Sequence, residues 1–395
     1  MPEVAEKLVT QPDELAACCA HLAVVRRMGM DTEFVGEDTF HPRLCLIQVA
    51  TDDTLYVIDP FTVGPLDAFW NVVVDPANLV VVHAGREEVR LCHLWSGRRP
   101  GNLFDLQIAA GLVGLPYPMG HGSLVYQVLG VQLAKGETLT EWRHRPLTRS
   151  QIRYALDDVR HLLGVWQHLS ADLERLGRTD WAREEFERLL TTVSADLPGT
   201  SSESDRWRKL RGLGPLDRRR LGMVRELFFW REQKAAEANR PTRSIVRDDL
   251  LIEIARRGPA KPRDLHMVRG LARRYAEEIV NVIEAVRALP AEQLPDAAER
   301  EQDPPQFGLI VNVINAVLAD FSVRQRLAAN LVATSQDVKS LVRARFQGGP
   351  LPADSLLTRG WRAQHILPEL EAVLNGQRTL RIADIHADAP FAYGK

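Results

Sequence analysis

The chain reads as an α/β domain with a mixed sheet over residues 1–175, followed by two all-helical domains at 216–290 and 308–385. Three observations predict this. Short β-rich runs alternate with helix-periodic runs in the first 175 residues, and apolar residues at spacings of three and four dominate afterwards. Stretches rich in Pro, Gly, Ser and acids separate the blocks, within a connection at 176–215 and a second linker at 291–307. A chain of 395 residues is expected to hold two or three domains.

The element order follows from local pattern. Met28 to Phe34 is an apolar lead-in that ends in acids, and Leu44–Val49 and Thr54–Ile58 are β-formers split by the turn residues Asp52 and Asp53, so they predict consecutive antiparallel strands. A helix is expected over Leu66–Val73, then a buried strand at Leu79–Val82, whose β-branched density suits a sheet centre. Helix Glu87–Trp95, a short strand Asn102–Phe104 and a helix from about Gln107 to Val113 follow. Ile152, Leu156, Val159, Leu162, Leu163 and Trp166 mark one long amphipathic helix from Thr148 to about Leu173.

Composition narrows the function classes. Hydrophobic content of 45% with 26% charged residues is that of a soluble globular protein. A net charge of −2 excludes wholesale electrostatic binding to polyanions, so such contacts fall to local patches. One exists: Asp217 to Pro290 holds seventeen Lys and Arg against eleven Asp and Glu, a local charge of +6. Cys18, Cys19, Cys45 and Cys92 show no C-x-x-C spacing, which predicts reduced thiols in a cytoplasm. No secretion signal or uninterrupted membrane-length apolar run is read, and neither a membrane nor an obligate protein partner is expected.

The candidate chemistry begins with Asp31 and Glu33. At i and i+2 of a strand they share one face, and two such acids call for a cation, with hard oxygen ligands suiting Mg²⁺ or Mn²⁺. Tyr154 and Asp158 share a helix face at i and i+4, while Asp157 points about 100° away. A phenol one turn from a carboxylate suits metal-assisted hydrolysis, with the hydroxyl orienting the attacking water. His83-Ala84-Gly85-Arg86-Glu87-Glu88 ends the buried strand and opens a helix, where Glu87 and Glu88 cannot both aim at the sheet edge. Asp105, closing a strand before a helix, is expected to cap the amides of Gln107 or Ile108.

In order, D-T-E-F, F-H-P-R-L-C-L-I-Q-V-A, H-A-G, L-F-D-L-Q-I-A-A and W-R-x-R-P-L-T-x-x-Q-x-x-Y-A-x-x-D resemble bacterial ribonuclease D, of the DEDD exonuclease superfamily. Trp207–Gly214 with the basic helical block, and the last block including Leu357–Arg362, are similar to that family's two helicase-and-RNase-D C-terminal (HRDC) domains. The resemblance implies an RNase H-like mixed sheet and a 3′–5′ exoribonuclease holding two divalent ions, Mg²⁺ or Mn²⁺. Asp31, Glu33, Glu88 and Asp158 would be the metal ligands, Tyr154 the water-orienting phenol, and Phe34 and His83 the substrate contacts. Glu88 stands where the family has Asp, and Glu87 is the fallback ligand.

The expected substrate is single-stranded RNA 3′ ends, tRNA precursors above all, cut to 5′-mononucleotides, with the basic block gripping phosphates. Two alternatives stay open at this point: a 3′–5′ DNA exonuclease, and a nucleic-acid-binding scaffold weakened by Glu88. His121, Trp142, Arg143 and Arg145 fall near the expected active face, where packing and surface charge explain them equally well.

Overall fold

The computed structural model describes residues 4–133, 141–195, 201–296, 303–353 and 355–394. Packing divides the chain into two compact units. The first holds Met1–Thr32, Leu46–Ser194 and Asp303–Lys395; the second holds Glu33–Cys45 and Ala195–Gln302.

The sheet is built from Ala5–Val9 (β1), Arg27–Val35 (β2), Arg43–Ala50 (β3), Thr54–Ile58 (β4), Leu79–Val82 (β5) and Leu103–Asp105 (β6). Its order is β1-β4-β3-β2-β5-β6, with β3 antiparallel to β4 and the pairs β1/β4, β2/β5 and β5/β6 parallel. The mixed sheet is therefore as expected. The helices are Pro12–Val25 (α1), Asp67–Val74 (α2), Arg86–Ser96 (α3), Leu106–Leu112 (α4), His121–Leu129 (α5), Arg149–Arg160 (α6), Leu162–Arg175 (α7) and Thr179–Ala195 (α8).

Three features depart from the sequence reading. β1, α1 and α5 were not anticipated; β1 is an edge strand with four of its five residues exposed, so it lacks the apolar alternation that marks a strand. The single long helix is two, because His161 closes α6 and opens α7. The apolar stripe runs on, but α6 packs against β4 whereas α7 packs against α4, α5 and β5, and serving both requires a change of axis. Gly29 of β2 permits that packing, since a Cβ there would approach Leu162 Cβ to 2.9 Å.

The third departure is at the C-terminal end. Residues 308–385, read as a separate all-helical domain, pack within the sheet-bearing unit. Helices Phe307–Gln325, Ala329–Val332, Ser335–Gln347, Gly360–His365 and Leu367–Leu374 lead into an antiparallel hairpin, Thr379–Ile382 with Phe391–Gly394. The hairpin hangs on buried Asp320, which accepts from the Phe391 amide at 3.1 Å and the Tyr393 hydroxyl at 2.9 Å. Ties seventy residues long leave no trace in local periodicity. Helix Phe307–Gln325 is long and apolar enough to cross a membrane by length and composition, although Asn312, Asn315 and Asp320 interrupt its apolar run, and it buries Phe307, Val311, Ile314, Val317 and Leu318 inside the unit.

The second unit is helical around Arg218–Glu237, Asp248–Arg257 and Ala276–Ala288, as expected for the basic block. Trp207, Leu227, Leu251, Ile279 and Ile283 form its core, and Phe40 packs against that core. Asp217 caps the first helix by accepting from the Arg220 amide at 2.8 Å.

Candidate active site

Three elements deliver carboxylates to one end of the sheet. β2 supplies Asp31, the first turn of α3 supplies Glu88, and α6 supplies Asp158. Buried Met28, Met30 and Thr32 fix the phase of β2, so Asp31 and Glu33 emerge together on the opposite face. The Thr148–Gln151 capping box starts α6 in the register that puts Tyr154 and Asp158 on one side.

The start of α3 is shaped by two backbone constraints. Ala84 is left-handed, with φ of 56°, and a Cβ on Gly85 would strike Val82 Cγ2 at 2.2 Å. Asp105 then accepts from the amides of Gly85, Gln107 and Ile108 at 2.8, 2.8 and 3.2 Å. It is the α4 cap that the sequence suggested, and it also ties the first turn of α3 to the sheet. The two neighbouring acids differ in setting. Glu87 pairs with Arg90 at 3.2 Å in partial exposure, while Glu88 is 6% exposed and accepts from the Thr32 hydroxyl at 2.9 Å.

The electrostatics is that of a site short of positive charge. Burial pushes Asp31 up to about 6. Burial, then the charge of Asp31, pushes Asp158 up to about 7 and Glu88 up to about 8. Each of the two feels Asp31, so the three acids form one repelling group; the Tyr154 hydroxyl donates to Asp158 and offsets part of its shift. No Lys or Arg forms an ion pair with Asp31, Glu88 or Asp158 among the described residues. The nearest base is His121, with Nδ1 at 3.9 Å from Asp158 Oδ1. Burial, then His83, lowers its pKa to about 4, so it is neutral and compensates nothing.

These residues fit a divalent ion in chemistry: oxygen donors only, buried or half-buried, with negative charge that no Lys or Arg among the described residues neutralises. They are gathered but not closed. Among the described residues no three His, Cys, Asp or Glu side chains stand near enough to enclose an ion.

The remaining candidates divide. Phe34 lies half-buried on β2 beyond Glu33. His83 donates from Nε2 to the Met119 carbonyl at 2.9 Å, and its ring stands 5.4 Å from that of His121. Arg145 is spent on Asp59 at 2.9 Å and Arg143 on Glu141 at 2.6 Å, while Trp142 is buried with its ring 6.1 Å from that of Tyr154. For those three, packing and pairing suffice. Thr32 escaped the sequence reading; a hydroxyl between two acids on a strand carries no signal until Glu88 is seen opposite it.

Sheet, acids and phenol define the class of protein: a 3′–5′ exonuclease domain profile matches residues 7–174, and an HRDC domain profile matches residues 220–283. The chain is 34% identical over 369 residues to ribonuclease D of Acidiphilium cryptum, covering 90% of each, and 32% identical to that of Sphingobium indicum, covering 90% of this chain and 91% of that one. The crystal structure of Escherichia coli RNase D, described as an exoribonuclease involved in structured RNA processing, matches with a TM-score of 0.84 at 28% identity, over 94% of this chain and 99% of that one. The chain belongs to the ribonuclease D family and is a 3′–5′ exoribonuclease.

Proposed function

We propose that this enzyme trims single-stranded 3′ ends of structured RNA, tRNA precursors in the first place, releasing 5′-mononucleotides at the Asp31, Glu88 and Asp158 site. The observation that carries the reading is a trio of acids, Glu88 buried and Asp31 and Asp158 half-buried, without an Arg or Lys partner among the described residues. Asp31, Glu88 and Asp158, with Glu33 from the same face of β2, would hold two divalent ions, Mg²⁺ or Mn²⁺. Bound, these supply a water acidic enough to attack at neutral pH and charge for the departing 3′-oxygen.

The chain's own groups do the rest. Tyr154, hydrogen-bonded to Asp158, orients the water against the last phosphodiester. Phe34 stacks on the terminal base, which holds a single-stranded end without reading its sequence. His83, held by the Met119 carbonyl and set against His121 beside Asp158, contacts the substrate end. Preference for RNA falls to 2′-hydroxyl contacts. The +6 block supplies phosphate contacts. Four free, buried cysteines support a cytoplasmic setting.

Matched RNA and DNA strands with labelled 5′ ends, digested with Mn²⁺, test the reading. RNA shortened one nucleotide at a time with 5′-mononucleotide product supports it, and equal rates on DNA would point to the DNA exonuclease. Replacing exposed Arg263, Arg269 and Arg273 with Ala tests the grip: the slope of log Kd against log salt for a tRNA-sized ligand should flatten by roughly one for each arginine that neutralises a phosphate.

A further inference from the structure

Gln48 is the most completely buried amide in the sheet, with 0% exposure, and neither its Nε2 nor its Oε1 has a hydrogen-bond partner. Orphaning both ends of a core amide is costly, and a shape-matched apolar residue would avoid it. Something other than packing holds a glutamine there.

Its position says what. β2 and β3 are neighbours joined by the short segment 36–42, which permits only an antiparallel pair. A Cβ on Gly29 would lie 3.6 Å from Ala50 Cβ, so these two stand opposite each other on the face covered by Leu162 of α7. Two residues along each strand, on that same face, the antiparallel register sets Asp31 opposite Gln48. A second observation agrees. Gln48 pairs with Val57 across β3 and β4, and the preceding Tyr56 turns its hydroxyl the other way, to His21 Nδ1 of α1 at 2.7 Å. Val57 and Gln48 therefore face α6, the helix that carries Asp158 and packs on β4.

We propose that Gln48 is a positioning residue for Asp31: when the acids draw together on a divalent ion, its Nε2 donates to the Asp31 carboxylate and fixes the orientation in which Asp31 ligates. The inference rests on the metal-site reading above. A ligating carboxylate needs its outer oxygen held, and no side chain of the described residues donates to Asp31 as the site stands. The orphaned amide is the group placed to do so.

The test is Gln48→Leu in the full-length protein, with Asp31→Asn beside it. Thermal melting in EDTA and Mn²⁺ binding by calorimetry are the readouts, apart from turnover. Gln48→Leu should melt no lower than the unaltered protein, because an unsatisfied amide has been removed, yet bind Mn²⁺ about 10-fold more weakly; Asp31→Asn should lose that binding altogether. Undiminished Mn²⁺ affinity in Gln48→Leu overturns the inference alone, whereas unchanged binding in Asp31→Asn overturns the metal-site reading and this inference with it. Should Gln48→Leu not fold, the unaltered protein decides. One buried glutamine side-chain amide resonance, absent in Gln48→Met, should shift on Mg²⁺ titration, and an unmoved resonance refutes the proposal.

Discussion

Glu88 and Glu185 are both buried glutamates in the sheet-bearing unit, and burial raises the pKa of each, yet the net results have opposite signs. At Glu185 of α8, 1% exposed, a hydrogen bond and the charge of Arg362, then Arg188, outweigh burial and hold the carboxyl below its usual range. Arg362 donates to Glu185 and to the carbonyls of Leu331 and Val332, Trp361 donates from Nε1 at 3.0 Å, and the Trp181 and Trp361 rings stack at 4.7 Å. That knot fastens the C-terminal helices to α8. At Glu88 no cation answers, and the carboxyl is driven up to about 8. A buried acid with its base supplied is a clamp, and a buried acid whose base is missing marks where an external cation belongs.

The comparison can be broken at either end. Asp31→Asn should reduce turnover by more than about 10³-fold while leaving melting in EDTA unchanged or higher, since it relieves repulsion; full activity, or unfolding, would merge the two regions into one structural class. Glu185→Ala should do the reverse, costing roughly 3–5 kcal/mol by leaving the Arg362 charge buried without its carboxylate, with turnover per folded molecule preserved. A denaturant midpoint shift without loss of kcat is the signature.

Tyr154→Phe isolates the phenol. Loss of about 10²-fold in kcat with unchanged Mn²⁺ affinity is expected, and an equal loss of both would make Tyr154 a packing residue.

The pH response follows from the sign of the shifts. Asp31, Asp158 and Glu88 bind protons more tightly folded than unfolded, so without metal their contribution is greatest below the ordinary carboxyl range near 4, falls most steeply up to about 6 where all three are changing, and is spent once pH has passed about 8. Melting from pH 5 to 9 in EDTA should show the decline, and Mg²⁺ should restore more at pH 8.5 than at pH 5.5. Glu185, shifted the other way, contributes nothing to a loss in that window. The smallest effect is Glu88→Asp, where metal-dependent cleavage should stay within roughly 10-fold because charge and donor type persist.

Much of the local geometry of the candidate site was legible in the chain alone. Asp31 and Glu33 share a strand face because of period two, and Tyr154 and Asp158 a helix face because of period 3.6, so neither pair needed tertiary information. Asp105 declared itself a cap by standing between strand and helix. What stayed hidden was non-local: the break at His161 lies under an unbroken apolar stripe, the Asp320 anchor of the final hairpin acts across seventy residues, and β1 is too exposed to alternate. The different settings of Glu87 and Glu88 show only with Thr32 and Arg90 in place, and Gln48 reads as an ordinary strand residue until its amide is found without a partner.

The most direct measurement is an anomalous-difference map from crystals grown with Mn²⁺. Density bounded by the carboxylates of Asp31, Glu88 and Asp158, and absent from Asp31→Asn crystals, is the expected result. Mn²⁺ bound elsewhere, or none at a concentration that supports RNA cleavage, would contradict it.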